Sequence, residues 1–267
     1  MRRKAPIFLV ILTTALFASC APAAAQPKKA ALTVFAAASL TGAFQEIGRD
    51  FETSHPGVSV TFNFAGSQQL AQQIASGAPA DVFASANQAQ MDAAVKSGHI
   101  QASAARPFAR NLLAVIYPAA NPAGIHTLQD LARPGLKLVL ADKSVPVGQY
   151  ALAFLAKASQ DPAFGGSYQA GVLKNVVSYE QDVKSVLAKV ELGEADAGIV
   201  YTTDAAADTT GKIRQLSIPE ALNSIAVYPI AAVRDSPNPQ LAGAFVEEVL
   251  SPTGQAVLKR YGFIPPG

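Results

Sequence analysis

Cysteine, histidine and charged residues are all scarce in this sequence. Its 267 residues include one cysteine, no tryptophan and three histidines, and only 15% of them are charged. A chain whose one cysteine is Cys20 cannot form an internal disulfide. With the histidines also scattered, we expect no site for a transition-metal cation. The 21 basic and 19 acidic residues form no basic block, so the composition does not support nucleic-acid binding.

The familiar catalytic motifs are missing as well. The sequence has no G-x-S-x-G, no phosphate-binding loop, no G-x-G-x-x-G and no H-E-x-x-H. His55, His99 and His126 each stand in a turn-like context, and we expect them in exposed loops. Asp142, which follows a predicted strand, is the one acid to consider as a general base. These absences favour a protein that binds a ligand over one that catalyses a reaction.

The N-terminal segment has the features of an export signal. "MRRK" is basic, "IFLVILTTALF" is apolar but short for a membrane span, and small residues follow. We therefore predict that residues 1–25 are a signal peptide. Two cleavage sites stay open. "FASC" resembles a lipoprotein box that would leave Cys20 as a lipidated first residue, whereas cleavage after "AAA" at Ala25 would release a soluble protein. Both predict an exported, periplasmic protein.

Strand and helix patterns alternate along the rest of the chain. The predicted strands are "LTVFAAA", "VSVTFNFAG", "ADVFASAN", "NLLAVIYP", "KLVLAD", "NVVSY", "AGIVY" and "IAVYPIAAV". A helical pattern follows each of the first three, and later helices are predicted near 148–158, 182–192, 217–222, 239–250 and 253–261. The first of these strands is apolar throughout, as expected in a parallel sheet. The alternation of strands with helices predicts an α/β fold with mostly parallel sheets.

A chain of this length and pattern is expected to divide into two lobes. We place the first lobe at residues 30–111 plus 228–267 and the second at 112–227. Two extended crossings between the lobes would then serve as a hinge.

Small and hydroxyl-bearing residues recur where a predicted strand ends and a helix begins. Ser39 follows "FAAA" and Ser67 follows "FNFAG". In open α/β sheets, ligands bind at the carboxyl ends of the strands. Helix N-termini at that edge offer unpaired backbone N–H groups and the positive end of the helix dipole, which together suit an anion. Each serine alone could also be an ordinary N-cap, but several such junctions in one chain favour an anion site.

Longer segments carry a specific resemblance, which runs along nearly the whole chain after the signal. They are "VFAAASL", "FAGSQQLAQQI", "GAPADVFASAN", "VPVGQYA", "QDVKSVLAKVELGEADAGIVYTTDA" and "SPTGQAVLKRYGF". Together they resemble the periplasmic molybdate-binding proteins of ABC uptake systems. The resemblance implies the two-lobed α/β fold of type II periplasmic binding proteins, in which each lobe is a mostly parallel sheet flanked by helices and the ligand lies in the cleft. It also implies a monomeric receptor, without cofactor or enzymatic activity, that delivers molybdate or tungstate to a membrane permease.

The resemblance also implies which residues bind the oxyanion. Ser39 and Ser67 match serines whose hydroxyl and backbone N–H groups contact its oxygens. Val147, where the family often has alanine, and Val183 match backbone donors, and Tyr201 matches a tyrosine whose hydroxyl completes the shell. In this arrangement molybdate is held as an oxyanion, with no ligands for a metal cation.

Three alternatives are kept. The ligand could be another tetrahedral oxyanion such as sulfate, which is smaller than molybdate and tungstate. The protein could be an exported hydrolase with Ser39 or Ser67 as the nucleophile, or a lipid-anchored scaffold that binds no ligand. Phosphate is less suited to a site made of donors alone, because at neutral pH it carries a proton that needs an acceptor.

Overall fold

The computed structural model describes residues 30–267. The predicted signal peptide, Cys20 and both cleavage sites lie outside the described residues. This part of the chain contains ten strands and nine α-helices. None of these helices is long and apolar enough to cross a membrane.

The first sheet gathers strands from the two ends of the described chain. They are β1 (Ala30–Ala37), β2 (Val58–Ala65), β3 (Val82–Ala84), β4 (Arg106–Asn111) and β10 (Ala226–Ala232). Their order is β2-β1-β3-β10-β4, and only β10 runs antiparallel to its neighbours. The helices of this half are α1 (Thr41–Ser54), α2 (Ser67–Ala75), α3 (Gln88–Lys96), α8 (Pro239–Leu250) and α9 (Pro252–Arg260).

The second sheet is built from one continuous part of the chain. Its strands are β5 (Leu113–Pro118), β6 (Leu138–Ala141), β7 (Val176–Glu180), β8 (Ala197–Tyr201) and β9 (Ile213–Ser217). Their order is β7-β6-β8-β5-β9, and β5 is the antiparallel strand. The accompanying helices are α4 (Pro146–Gln160), α5 (Tyr168–Lys174), α6 (Val183–Glu191) and α7 (Thr202–Ala206).

Two mostly parallel sheets flanked by helices confirm the predicted fold class. The chain passes from the first sheet to the second between β4 and β5, and it returns between β9 and β10. The predicted lobe limits, 30–111 plus 228–267 and 112–227, stay a prediction. β10 begins at Ala226, two residues before the predicted return.

Some predicted local structure is wrong. Residues 217–222, predicted as a helix, hold the end of β9 and a turn, since Pro219 restricts the residue before it to extended backbone. The strand β4, which includes most of the segment "ARPFAR", was not predicted. Pro107 is tolerated there because β4 is an edge strand, where a missing N–H costs no ladder hydrogen bond. The short helix α5 was not predicted.

The buried face of helix α1 agrees with the periodicity of the sequence and sets the position of the helix on the first sheet. Phe44, Ile47 and Phe51 form its buried stripe, each at most 1% exposed, as the periodicity predicts. Phe44 and Phe51 pack edge-on against Phe245 of α8. This packing holds α1 against the first sheet with its N-terminus at the carboxyl end of β1.

Candidate functional site

One cavity lies where helix N-termini of both sheets face each other. Its lining includes all five of the predicted site residues, Ser39, Ser67, Val147, Val183 and Tyr201. The empty space between the lining atoms is about 210 Å³. That figure includes space open to solvent at the mouth, so the enclosed part of the cavity is smaller still and suits a compact ligand. That these five residues bind the ligand stays a prediction.

Four of the five stand at the starts of helices. Ser67 and Val183 are the first residues of α2 and α6, and Val147 is the second residue of α4. Ser39 lies in a 3-10 turn, Ala38–Leu40, that leads into α1. The first-turn N–H groups of a helix have no partner within the helix, and the positive end of its dipole lies there. The cavity is therefore surrounded by backbone donors suited to an anion.

Ser39 does not cap a helix. Neither the 3-10 turn nor α1 has a side-chain cap, and the Ser39 side chain is turned instead towards Tyr228. The two hydroxyl oxygens, Ser39 Oγ and Tyr228 Oη, lie 3.1 Å apart in buried surroundings. The capping alternative is thus wrong for Ser39, and its hydroxyl is left at the cavity wall.

Ser67 does not cap a helix either, because Gly66 occupies the N-cap position of α2. Ser67 is 1% exposed, and its Oγ accepts a hydrogen bond of 3.0 Å from the backbone N–H of Ala86. A hydroxyl that accepts from an obligatory donor still has its own proton to give. Ser67 is therefore placed to donate to a ligand in the cavity.

Tyr201 closes the cavity from the second sheet. It ends β8, precedes α7 and is 1% exposed. Its buried Oη has no hydrogen-bond partner among the described residues. Burial, followed by the neighbouring Tyr228, raises the pKa of the Tyr201 hydroxyl well above its ordinary value. The group stays protonated, and a buried unpaired hydroxyl of this kind costs about 1–3 kcal/mol unless a ligand accepts from it.

The cavity is lined almost entirely by neutral groups. Within the described part of the chain no lysine, arginine or histidine lines it, and its one charged lining residue is Asp182. The Asp182 carboxylate caps α6: Oδ1 accepts from Ser185 N at 3.0 Å and Oδ2 from Ser185 Oγ at 3.1 Å. Both carboxylate oxygens are engaged by their own helix, so the donors around the cavity are hydroxyls and backbone N–H groups.

An ion pair between a buried carboxylate and a partly exposed lysine lies beside the site, and the sequence analysis missed it. Lys184 Nζ is 2.7 Å from Asp204 Oδ1, and the Asp204 side chain is fully buried. Burial raises the pKa of the Asp204 carboxyl, while the Lys184 ammonium opposes this rise. The pair joins the start of α6, next to Val183, to α7, next to Tyr201. The sequence does contain a signal for this pair: in "YTTD", Asp204 follows the end of a predicted strand by three residues.

Side chains of the two halves meet at the rim of the cavity. Gln68 Nε2 donates to Gln181 O at 2.9 Å, and Asn87 Nδ2 donates to Gln149 Oε1 at 2.9 Å. Backbones also approach closely there, since a Cβ atom on Gly66 would lie 2.4 Å from Gln181 O. The structure is therefore a closed form. No pattern in the sequence predicts that these rim residues contact each other.

The residues considered for catalysis lie apart from the cavity. Asp142 does not line it, and hydrogen bonds from the backbone and hydroxyl of Ser144 lower the pKa of its carboxyl. Of the three histidines, only His126 is exposed. His55 is half-buried and stacks on Phe51, and His99 is half-buried beside Asp235. Residues 30–267 contain no group of three or more histidine, cysteine or acidic side chains that could hold a metal ion.

Comparison with known proteins places the chain among transport receptors. It is 42% identical to the molybdate-binding protein ModA of Mycobacterium tuberculosis over 235 residues, which cover 88% of this chain and 85% of the relative. It is 36% identical to ModA of Escherichia coli over 238 residues, covering 87% and 88%. The solved substrate binding domain of a putative molybdenum ABC transporter from Clostridium difficile superimposes with a TM-score of 0.64 at 30% identity, covering 88% and 99%.

The family match spans almost all of the described residues. It runs from residue 32 to residue 264 and so includes both sheets and every residue that lines the cavity. The chain belongs to the bacterial extracellular solute-binding proteins.

Proposed function

We propose that this protein captures molybdate, and also tungstate, in the periplasm and delivers it to an ABC permease. The observation that carries the proposal is the compact cavity in which neutral donors of both halves face each other. Among them is the Tyr201 hydroxyl, which has no hydrogen-bond partner within residues 30–267. The relatives named as molybdate-binding proteins support the same ligand. We propose further that the receptor acts as a monomer and needs no cofactor.

Hydrogen bonds alone can hold a dianion in such a cavity. A hydrogen bond to a charged acceptor contributes roughly 1.5–3 kcal/mol, and a helix N-terminus adds about 0.3–1 kcal/mol. Several donors of this kind offset the costs of dehydrating the ion and ordering the site. Because no lysine or arginine must separate from the ion, opening of the lobes suffices to release it.

The hydrolase alternative has no chemical support at either serine. Ser39 Oγ contacts Tyr228, and Ser67 Oγ accepts from Ala86 N. Neither partner is a base that could remove the serine proton. We therefore propose a receptor without catalytic activity, and hydrolysis of a generic ester by the purified protein would contradict this.

Thermal unfolding with molybdate, tungstate, sulfate and phosphate tests the proposal directly. At a hundredfold excess over Kd, binding should stabilise the protein by about 2.7 kcal/mol. For a chain of this size the Tm should then rise by roughly 5–10 °C. We expect this rise with molybdate and tungstate, which fill the cavity, and not with sulfate or phosphate. An equal rise with sulfate would contradict the size selectivity, and no rise with any oxyanion would contradict the receptor itself.

The Tyr201 hydroxyl should contribute to binding and not to folding. Tyr201→Phe should weaken molybdate binding by about 10- to 100-fold, the loss of one hydrogen bond to a charged acceptor. The unliganded protein should keep its Tm, because this hydroxyl has no partner to lose within the described residues. Titration calorimetry and thermal unfolding measure the two effects separately.

Tyr168→Phe is the matched control for this substitution. The Tyr168 hydroxyl donates to Leu128 O at 2.6 Å in the second half and does not line the cavity. Its removal should lower the Tm and leave the molybdate affinity unchanged. Equal affinity losses in the two variants would mean that Tyr201 does not contact the ligand.

A further inference from the structure

Tyr228 is a fully buried tyrosine that touches the site without lining the cavity. It lies on β10 with its side chain 0% exposed. Its Oη lies 3.1 Å from Ser39 Oγ on one side and 3.4 Å from Asn111 Nδ2 on the other. Tyr228 therefore connects a predicted ligand residue to the point where the chain leaves the first sheet.

The orientation of the Asn111 amide is fixed by its neighbours. Its Oδ1 accepts from Leu112 N at 3.0 Å, and a backbone N–H can only donate. The amide nitrogen must then face Thr203 Oγ1, at 2.8 Å, and Tyr228 Oη. Since an amide nitrogen can only donate, Tyr228 Oη is the acceptor of that pair.

Tyr228 Oη also faces Ser39 Oγ, and either hydroxyl could donate in that pair. The arrangement in which Tyr228 Oη accepts from Asn111 and donates its single proton to Ser39 Oγ uses both its acceptor and its donor. Burial raises the pKa of the Tyr228 hydroxyl far above its ordinary value, and the proton stays in place. In this arrangement Ser39 Oγ accepts from Tyr228, and the proton of Ser39 itself is free for an acceptor in the cavity.

We propose that Tyr228 is a positioning residue that makes Ser39 a donor towards the ligand and thereby selects oxyanions without protons over those that carry one. The inference rests on the proposed oxyanion function and deepens it. Ser67 needs no such side chain, because the backbone N–H of Ala86 already occupies its acceptor side. The donor role of Ser39 thus depends on another side chain, and a substitution of Tyr228 can change it.

The test uses Tyr228→Phe, with molybdate and phosphate titrated by calorimetry at about pH 8. Without the Tyr228 hydroxyl, Ser39 Oγ is free to accept a hydrogen bond from the P–OH group of HPO₄²⁻. We expect molybdate to bind about tenfold more weakly and the preference for molybdate over phosphate to fall at least tenfold. Thermal unfolding of the unliganded variant shows that it is folded at the titration temperature.

A double-mutant cycle separates positioning from a general structural effect. In a Ser39→Ala background, Tyr228→Phe should have no further effect on the preference, since Tyr228 acts through Ser39. A second variant, Asn111→Ala, keeps Tyr228 but removes the donor to its Oη, and it should lower the preference in the same direction.

The outcomes distinguish this inference from the proposed function. If the wild-type protein binds molybdate and Tyr228→Phe leaves the preference unchanged, the role of Tyr228 is wrong and the receptor function stands. The role of Tyr228 is also wrong if Tyr228→Phe lowers the preference for molybdate as much in the Ser39→Ala background as in the wild-type protein. If the wild-type protein binds no oxyanion at all, both proposals fall.

Discussion

A Gly66→Ala variant should fold as well as the wild-type protein but bind molybdate about 10- to 100-fold more weakly. The backbone of Gly66, with φ −60° and ψ 136°, is one that alanine adopts without strain. In the closed form, however, the added Cβ would lie 2.4 Å from the carbonyl oxygen of Gln181 in the other half. Overpacking of this kind typically costs about 1–3 kcal/mol, and here the cost falls on the closed form.

The measurement is a molybdate titration together with thermal unfolding of the unliganded protein. Gly243→Ala is the matched control, because the same methyl group added in α8 meets no atom within 4 Å. We expect the Tm of unliganded Gly66→Ala to stay close to that of the wild type, and Gly243→Ala to bind normally. An unchanged affinity in Gly66→Ala would mean that binding does not require this close approach.

The second large effect concerns stability and involves the ion pair beside the cavity. Lys184→Met should destabilise the unliganded protein by about 3 kcal/mol at neutral pH, since it leaves a fully buried carboxylate without its counter-ion. The figure is taken at the low end of the usual range because the Lys184 side chain is 37% exposed and solvent screens part of the pair. Urea unfolding gives the free energy of unfolding for each variant.

The pH dependence of this variant has a definite sign. Burial raises the folded-state pKa of Asp204 above its ordinary value of 3.8, and removal of Lys184 should raise it further. The ionised form therefore costs stability above the folded-state pKa. That cost is relieved as the pH falls through it, and the relief is complete below 3.8. Lys184→Met should recover stability on acidification, relative to the wild type.

Asp204→Asn is the control, because it removes the buried charge and leaves Lys184 partly solvated. It should cost less than Lys184→Met and should not share the recovery at low pH. If Lys184→Met lost less than about 1 kcal/mol, or lost stability on acidification relative to Asp204→Asn, the ion pair would not be supporting the fold.

Local patterns in the sequence predicted the fold and marked Ser39 and Ser67 as candidate site residues, whereas the family resemblance implied the full set of five. The alternation of buried strands and helices predicts the two sheets, and the buried stripe of α1 follows from its spacing. The five residues carried over by resemblance each stand at a strand end or helix start, and the structure brings all five to one cavity. Whether they bind the ligand awaits the titrations.

The remaining features depend on pairs that are distant along the chain. Tyr228 meets Ser39 across 189 positions, and Gln68 meets Gln181 across 113. No local pattern marks such partners, and Tyr228 in "AVYPIAA" has the sequence context of an ordinary core residue. The N-cap of α2 shows that sequence patterns do not place a helix start to within one residue. A shift of one residue, from Ser67 to Gly66, moves the serine hydroxyl from a helix cap to the cavity wall.

The placement of β10 between β3 and β4 sets an order in which the halves can be completed. The second sheet is continuous from Leu113 to Ser217 and can form once that stretch of chain has emerged. The first sheet stays open until Ala226–Ala232 arrives, because β4 has no paired strand in the sheet before then. Pairing across so many residues is slow, since the loop must close before its contacts form. The first half, and with it a complete cavity, can therefore be finished only after Ala226–Ala232 has joined the sheet.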